Sequence, residues 1–162
     1  MINEAEKKVY DYLDALNIEY ARHEHPPVYT VEEANQYWQG IEGGHAKNLF
    51  LRNNKGNQHY LVVLEETKTA DLRSLSEKLG TSKLSFASER RLNEHLGLET
   101  GAVSPFGLIN DTGKSVTVVI DRDLSEHEKV NFHPNVNSAT ITLNYKDFIK
   151  FLKYCGNEVV SL

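Results

Sequence analysis

An unbroken run of five apolar residues at 60–64 restricts most strongly the fold that this chain can adopt. Its length and its valine content are typical of a strand that is buried on both faces. The turn-forming residues 54–57 (Asn-Lys-Gly-Asn) precede it, and residues 45–53 alternate in the manner of a second strand. Together these segments predict a hairpin inside a sheet that is covered by helices on both sides.

Helices are predicted wherever a capping residue is followed by apolar residues at spacings of three and four. The five predicted start signals are Asn3, Thr30, Asp71, Ser88 and Asn144. Further strands are expected at 18–22, 115–121 and 139–143, and the loop at 101–110 is expected to run into another. The chain therefore reads as one α/β domain over residues 1–162, with a mixed sheet of about six strands and helices around it.

Composition excludes several classes of protein. The 162 residues are enough for one domain, and no apolar run approaches the roughly 20 residues of a membrane-spanning helix. The N-terminal residues lack the apolar stretch of a signal peptide. A single cysteine, Cys155, rules out an internal disulfide and a cysteine-based zinc site, so we expect a cytoplasmic protein with no membrane partner.

Lys47 is the first candidate for a functional residue. It lies in the alternating strand, in register with Leu49 and Leu51. A lysine in a strand commonly faces solvent. If the leucine face is the buried one, however, the ammonium group must lie in a cleft and needs an anionic or carbonyl partner. Both interpretations stay open at this point.

The segment 101–107 (Gly-Ala-Val-Ser-Pro-Phe-Gly) is the second candidate. It has no charged side chain, is framed by two glycines and is stiffened by Pro105. Such a composition lets the backbone approach a ligand and present N–H and C=O groups to it. The same composition also fits a buried connection between a helix and a strand, and the residues alone do not decide between the two.

The histidines are the third group of candidates. His133 precedes a proline that fixes its backbone, so it is either an ordinary loop residue or a catalytic group. His23, His25 and His45 would be the ligands of a metal site, but no compact pattern such as His-Glu-x-x-His is present. Since the sequence also lacks a phosphate-binding or dinucleotide-binding glycine motif, we expect neither a metal nor a cofactor.

Three motifs occur in order along the chain. They are residues 43–51 (Gly-Gly-His-Ala-Lys-Asn-Leu-Phe-Leu), 101–105 (Gly-Ala-Val-Ser-Pro) and 133–135 (His-Pro-Asn). In this order and spacing they resemble the YbaK/prolyl-tRNA-synthetase editing-domain family, and above all its stand-alone branch. The resemblance extends from residue 25 to the last helix. It implies a curved mixed sheet with flanking helices, which agrees with the order of elements predicted above.

The resemblance also implies a site. Lys47 matches the essential lysine of the family, Asn48 the asparagine beside it, and His133 the histidine of the alanine-specific branch. The helix that opens at Thr30 would bound the pocket. The substrate loop would consist of Gly101, Ala102, Val103, Ser104 and Pro105.

The implied function is hydrolysis of mischarged Ala-tRNA(Pro), with the acceptor end of the tRNA and prolyl-tRNA synthetase as partners. A synthetase pocket built for proline cannot exclude the smaller alanine, because each lost methylene contact contributes only about 0.8 kcal/mol. The discrimination of roughly 10⁴ that translation needs therefore calls for a second, hydrolytic site.

On this interpretation Lys47 binds a phosphate or the oxyanion, and backbone groups of residues 101–104 hold the α-amino and ester groups. Asn48 and His133 orient the terminal ribose or the attacking water, which the neighbouring ribose hydroxyl assists.

Three alternatives remain. The first is a deacylase for Cys-tRNA(Pro), the other main stand-alone activity of that family. The second is a non-catalytic module that binds tRNA or the synthetase. The third is a small metallohydrolase that uses the three histidines His23, His25 and His45.

Overall fold

Five helices form at the predicted caps in the computed structural model, which describes residues 2–162. Asn3 Oδ1, for example, accepts a hydrogen bond from the N–H of Glu6 at 2.9 Å and so begins the first helix. The helices are α1 (Glu4–Ala15), α2 (Val31–Trp38), α3 (Leu72–Leu79), α4 (Glu89–Leu96) and α5 (Tyr145–Cys155). All five helix predictions are confirmed. No helix among the described residues is long and apolar enough to cross a membrane.

Over the described residues 2–162 the sheet has eight strands, so the expected number of about six is too low. In chain order they are β1 (Tyr20–Glu24), β2 (Gly44–Arg52), β3 (His59–Glu65), β4 (Ser85–Phe86), β5 (Val116–Ile120), β6 (Lys129–Phe132), β7 (Ala139–Asn144) and β8 (Val159–Ser161). Their order across the sheet is β1-β7-β6-β2-β3-β5-β8, and β4 pairs with the outer part of β2. Parallel pairs (β2–β6, β3–β5, β5–β8) occur beside antiparallel ones, which confirms the mixed sheet.

The loop at 101–110, expected to run into a strand, contains a 3-10 helix instead, Pro105–Asn110. Ser104 begins it, because its Oγ accepts a hydrogen bond from the N–H of Phe106 at 3.1 Å. Proline at the first position suits a helical turn, since its ring fixes φ and it has no N–H to leave unpaired. The apolar run that follows looks like a strand in the sequence but forms about two turns of 3-10 helix, whose Phe106, Leu108 and Ile109 pack in the core.

The central strand β3 is buried on both faces, as its apolar run predicts. Leu61 and Val63 belong to the larger core cluster, together with residues of α1, α4 and α5. Tyr60 and Val62 belong to a second cluster on the other face, which includes Leu75 of α3. Helices therefore cover both faces of the sheet. The accessible part of the sheet is a break between two of its strands.

That break lies along one edge of β2. Residues 44–45 pair with residues 130–131 of β6, and residues 51–52 pair with β4. Within the described chain, no strand pairs with residues 46–49 along this edge. Because β2 and β6 separate after two residue pairs, a cleft opens between the middle of β2 and the segment that follows β6.

Gly43 allows β2 and β6 to meet where they do. Its φ is +98°, and a Cβ placed on it would lie 2.6 Å from the carbonyl oxygen of Lys129. Only glycine fits both the left-handed backbone and the close approach. Asn131 of β6 strengthens the junction, since its Nδ2 donates to the carbonyl oxygens of Glu42 and Gly44 at 3.0 and 3.2 Å.

Candidate active site

A cavity of about 190 Å³ occupies the cleft beside β2. Its walls come from the middle of β2, from α2 and the segment before it, from the loop at residue 101, and from the residue that follows β6. The lining residues are Val28, Tyr29, Thr30, Ala34, Trp38, Ala46, Lys47, Asn48, Gly101, Val103 and His133. Six of the nine residues predicted for the site thus line one cavity.

Lys47 brings the only positive charge among the residues that line this cavity. The side chain is half-buried, and it shares its strand face with Leu49 and Leu51, which pack in the second core cluster. Within residues 2–162, no carboxylate forms an ion pair with its ammonium group. A cation that is partly desolvated and not neutralised by the protein is suited to bind an anion or a developing oxyanion.

Two backbone donors and one acceptor complete this side of the cavity. The N–H groups of Gly101 and Val103 take part in no hydrogen bond within the described residues. The Oδ1 atom of Asn48 is buried and likewise accepts no hydrogen bond there. Since buried polar groups are normally paired, the Asn48 oxygen marks a position where a polar ligand would bind. The two N–H groups belong to residues that line the same cavity and are free to donate to that ligand.

His133 lies at the opposite wall with a defined tautomer. Its Nδ1 is 2.9 Å from the carbonyl oxygen of Ala139, and a carbonyl can only accept, so Nδ1 carries the proton. In the neutral ring, Nε2 is then an acceptor. Burial lowers the pKa of His133 below its ordinary value, which keeps the imidazole neutral at pH 7. Such a ring can accept a proton from water or from a hydroxyl group.

Helix α2 forms the third wall and is held there from both ends. Thr30 Oγ1 accepts a hydrogen bond from the N–H of Glu33 at 3.1 Å, which fixes the first turn. At the last turn, the Trp38 ring stacks on His45 with centroids 4.4 Å apart. Burial lowers the pKa of His45, so that a neutral imidazole faces the indole. Ala34, between these ends, presents a small side chain to the cavity.

Three predicted loop residues lie outside the cavity wall. Ala102, Ser104 and Pro105 are buried within the loop and do not line this cavity. The N–H of Ala102 donates to the carbonyl oxygen of Glu99 at 3.1 Å, and Ser104 Oγ is used at the start of the 3-10 helix. The hydrogen bonds of Ala102 and Ser104 fix the backbone of the loop. The assignment of these three residues to substrate binding stays a prediction.

Comparison with known proteins identifies the family. The model of the aminoacyl-tRNA editing domain matches residues 25–151. The chain belongs to this family. A relative of the editing domain, prolyl-tRNA editing protein ProX from Acetoanaerobium sticklandii, is 48% identical over 161 residues, which cover 98% of this chain and 97% of the relative. In Danio rerio, prolyl-tRNA synthetase associated domain-containing protein 1 is 38% identical over 96% of this chain and 85% of its own length.

A solved structure gives the same fold for the editing domain. It is the crystal structure of a proposed trans-editing enzyme for prolyl-tRNA synthetase, with a TM-score of 0.73 over 100% of this chain and 98% of that one. The identity is 22%, so this likeness speaks for the fold alone. The predicted family, the mixed fold and an aminoacyl-tRNA editing activity are thereby confirmed.

The sequence interpretation missed several wall residues of the editing domain, among them Tyr29, Ala34 and Trp38. They come from α2 and the extended segment before it. That segment is fixed by long-range hydrogen bonds, in which the N–H groups of His25 and Val28 donate to the carbonyl oxygens of Ser138 and Asn137. The one usable signal was Trp38, the single tryptophan, at the end of a capped helix.

The histidines of the metal alternative are used elsewhere. His25 Nε2 lies 2.9 Å from Thr140 Oγ1 and its Nδ1 lies 2.9 Å from the carbonyl oxygen of Pro26, so both ring nitrogens have protein partners. His23 contacts Thr142. Within residues 2–162, no three His, Cys, Asp or Glu side chains are grouped as metal ligands would be.

Cys155 is buried in the core, an environment that does not suit a nucleophile. It packs in the larger core cluster at the end of α5 and is 3% exposed. Burial raises the pKa of its thiol to about 11, so the thiolate is scarce at pH 7. Cys155 is therefore a packed core thiol.

Proposed function

We propose that this editing domain acts as a stand-alone deacylase that hydrolyses the ester of mischarged Ala-tRNA(Pro). The observation that carries the proposal is the set of unpaired groups in one cavity. It offers a cation at Lys47, two N–H donors at Gly101 and Val103, an acceptor at Asn48 and a neutral imidazole at His133. An aminoacyl ester needs each of these partners.

The groups match the ester one by one. Water attacks the carbonyl carbon, and the tetrahedral intermediate carries its negative charge on the former carbonyl oxygen. Lys47 and the two N–H groups stabilise that charge. The bond to the ribose 3′ oxygen then breaks, the proton lost by the water passes to this oxygen, and alanine leaves as the free amino acid.

The remaining groups position the reactants. The α-ammonium group of the ester is a donor, and Asn48 Oδ1 is a buried acceptor without a partner among the described residues. His133 Nε2 holds the attacking water or the terminal ribose as an acceptor. None of the described residues that line the cavity is Asp or Glu. The proposal therefore assigns the removal of the proton to His133 with assistance from the neighbouring ribose hydroxyl.

The apolar wall of the cavity supports alanine as the accepted amino acid. Val28, Ala34 and Val103 line the cavity with apolar side chains. In the proposal these side chains contact the methyl group of alanine and exclude the fixed ring of proline from the same position. Steric exclusion of the larger, correct amino acid is the principle of a second sieve.

Two partners and a location follow from the proposal. The acceptor end of tRNA(Pro) is the substrate, and prolyl-tRNA synthetase is the enzyme whose error is corrected. The relatives that support this choice are named for prolyl-tRNA editing and for association with that synthetase. We place the reaction in the cytoplasm, the compartment expected for a chain with a single cysteine.

The proposal is tested by deacylation of Ala-tRNA(Pro), Cys-tRNA(Pro) and Pro-tRNA(Pro) with the purified protein. We expect the alanyl ester to be hydrolysed at least tenfold faster than either of the others, because a pocket discriminates methylene-sized differences by about 10- to 200-fold. Release of the free amino acid is followed over time against a reaction without enzyme. Preference for the cysteinyl ester would replace the proposal by the cysteine alternative, and a protein that binds the tRNA without hydrolysing any ester would be a binding module.

A further inference from the structure

A second cavity adjoins the proposed active site. Its volume is about 350 Å³, and Tyr29 lines both cavities. Gly101 lines the first cavity and the next residue, Ala102, lines the second. The two cavities thus meet at Tyr29 and at the substrate loop.

Asn135 is the feature of the second cavity that points to a ligand. Only 8% of this residue is exposed, and among residues 2–162 nothing donates a hydrogen bond to its Oδ1 atom. Its backbone has a φ of +61°, a conformation that asparagine adopts more readily than most residues. A buried acceptor without a partner costs stability unless a ligand supplies the donor.

The chemistry of the walls favours a neutral, planar ligand with donors and acceptors on its edge. Asn93, Asn135 and Asn137 bring side-chain amides to this cavity, and Thr100 and Ser138 bring hydroxyl groups. Among its described lining residues there is no Lys or Arg, whereas Glu99 is present. The site is therefore suited to a nucleobase and unsuited to a phosphate group.

Tyr29 supplies an aromatic surface at the border of the two cavities. Its ring lies over Gly101, where an added Cβ would come within 3.2 Å of Cδ1, and 69% of the residue is exposed. The φ of Gly101 is +92°, which together with this contact requires glycine. Exposed aromatic rings beside single-stranded RNA commonly stack on its bases.

We propose that the second cavity binds the adenine base of the terminal adenosine of tRNA, with Asn135 accepting a hydrogen bond from the exocyclic amino group and Tyr29 stacking on the ring. This rests on the proposed function, because the base and the ester belong to the same nucleoside. Asparagine amides pair with adenine through its N6 donor and a ring-nitrogen acceptor. The RNA end is thereby fixed by its base, while Lys47 and the loop act on the ester.

The test compares two synthetic esters, 3′-O-alanyl-adenosine and 3′-O-alanyl-inosine. Inosine carries a carbonyl oxygen where adenosine has the amino group and a proton on N1, while the ribose and the ester are the same in both compounds. We expect kcat/KM for the adenosine ester to be about 5- to 100-fold higher, the discrimination given by a good amide–base pair. Binding of AMP and of IMP, followed by NMR chemical shifts, reports the same preference without any need for catalysis.

Two asparagine variants locate the effect. Asn135→Gly removes the amide but tolerates the positive φ, and it should lower kcat/KM for the adenosine ester to the level of the inosine ester. Asn17→Gly is the matched control, since Asn17 also has a positive φ, +57°, but is exposed at the end of α1 and lines neither cavity. It should retain the full preference for adenosine.

The outcomes separate this inference from the proposed function. Equal hydrolysis of the two esters together with equal binding of AMP and IMP would overturn the adenine site while leaving the deacylase intact. An equal loss of activity on both esters in Asn135→Gly would also overturn it, because the residue would then be structural. If AMP is preferred but Ala-tRNA(Pro) is never hydrolysed, the base site stands and the deacylase proposal fails.

Discussion

Replacing Lys47 by methionine is expected to lower the rate of Ala-tRNA(Pro) deacylation at least 100-fold. The substitution keeps an unbranched side chain of similar length and removes the one cationic group among the described residues that line the cavity. Loss of a single preorganised donor to an oxyanion typically reduces kcat by about 10²- to 10³-fold. Single-turnover measurements with excess protein isolate the hydrolytic step from RNA binding.

The matched control for Lys47 is Lys55→Met, in the exposed turn between β2 and β3. This variant removes the same charge from the chain and should retain the wild-type rate. Equal thermal melting curves would show that both variants are folded. A decrease of less than threefold in Lys47→Met would contradict the assignment of this lysine to the oxyanion.

A comparable loss, about 100-fold, is expected for His133→Asn. The asparagine Nδ2 can donate to the carbonyl oxygen of Ala139 as Nδ1 of the histidine does, but no acceptor then stands at the position of Nε2. General base catalysis by a positioned side chain typically contributes about 10²- to 10⁴-fold. The variant should therefore fold like the wild type and fail in the chemical step.

The pH profile distinguishes this role of His133 from a structural one. The neutral ring is the active form, and burial lowers its pKa. In the wild type, kcat/KM should therefore fall only below the ordinary imidazole pKa of about 6.5, and stay level just above it. In His133→Asn this acidic decrease should disappear, whereas in the control His95→Gln, on α4, it should remain. An unchanged acidic limb in His133→Asn would assign the titration to another group.

The helices could be predicted from the sequence because their signals are local. Asn3, Asp71 and Ser88 each accept a hydrogen bond from a backbone N–H three residues on, and the apolar spacing follows within the same segment. A helix start thus depends on residues that are neighbours in the chain. The structure places these helices as predicted.

The additional strands could not be predicted, because their stability comes from distant residues. The four-residue strand β6 contains the buried Asn131, whose amide is satisfied by carbonyl groups some 87 residues earlier in the chain. Strands β4 and β8 have two and three residues, too few to show a period. The run after Ser104 is a different case, because its 3-10 helix follows from the local cap at Ser104 and from Pro105, which the apolar pattern alone does not reveal.

The site could be predicted in part. Its motif residues Lys47, Asn48 and His133 were indicated by resemblance to a family, and they line one cavity in the structure. Without the resemblance, Lys47 could equally be a solvent-facing strand residue and His133 an ordinary loop residue. The break in the sheet that brings them together follows from the short pairing of β2 with β6, which no local pattern reveals. Tyr29 lines the same cavity, and nothing in its sequence surroundings indicates it. Asn135 belongs to the third motif, but only the structure shows that it lines the neighbouring cavity.

The central claim is that the cavity beside β2 holds the aminoacyl end of the tRNA. A crystal structure with 3′-alanylamino-adenosine, an amide that replaces the labile ester, tests it most directly. We predict the alanyl carbonyl oxygen within hydrogen-bond distance of Lys47 or of the N–H groups of Gly101 and Val103, with His133 on the opposite side. The analogue bound in a different cavity, such as the one beside Lys129 and Glu42, with the Lys47 cavity empty, would contradict this claim.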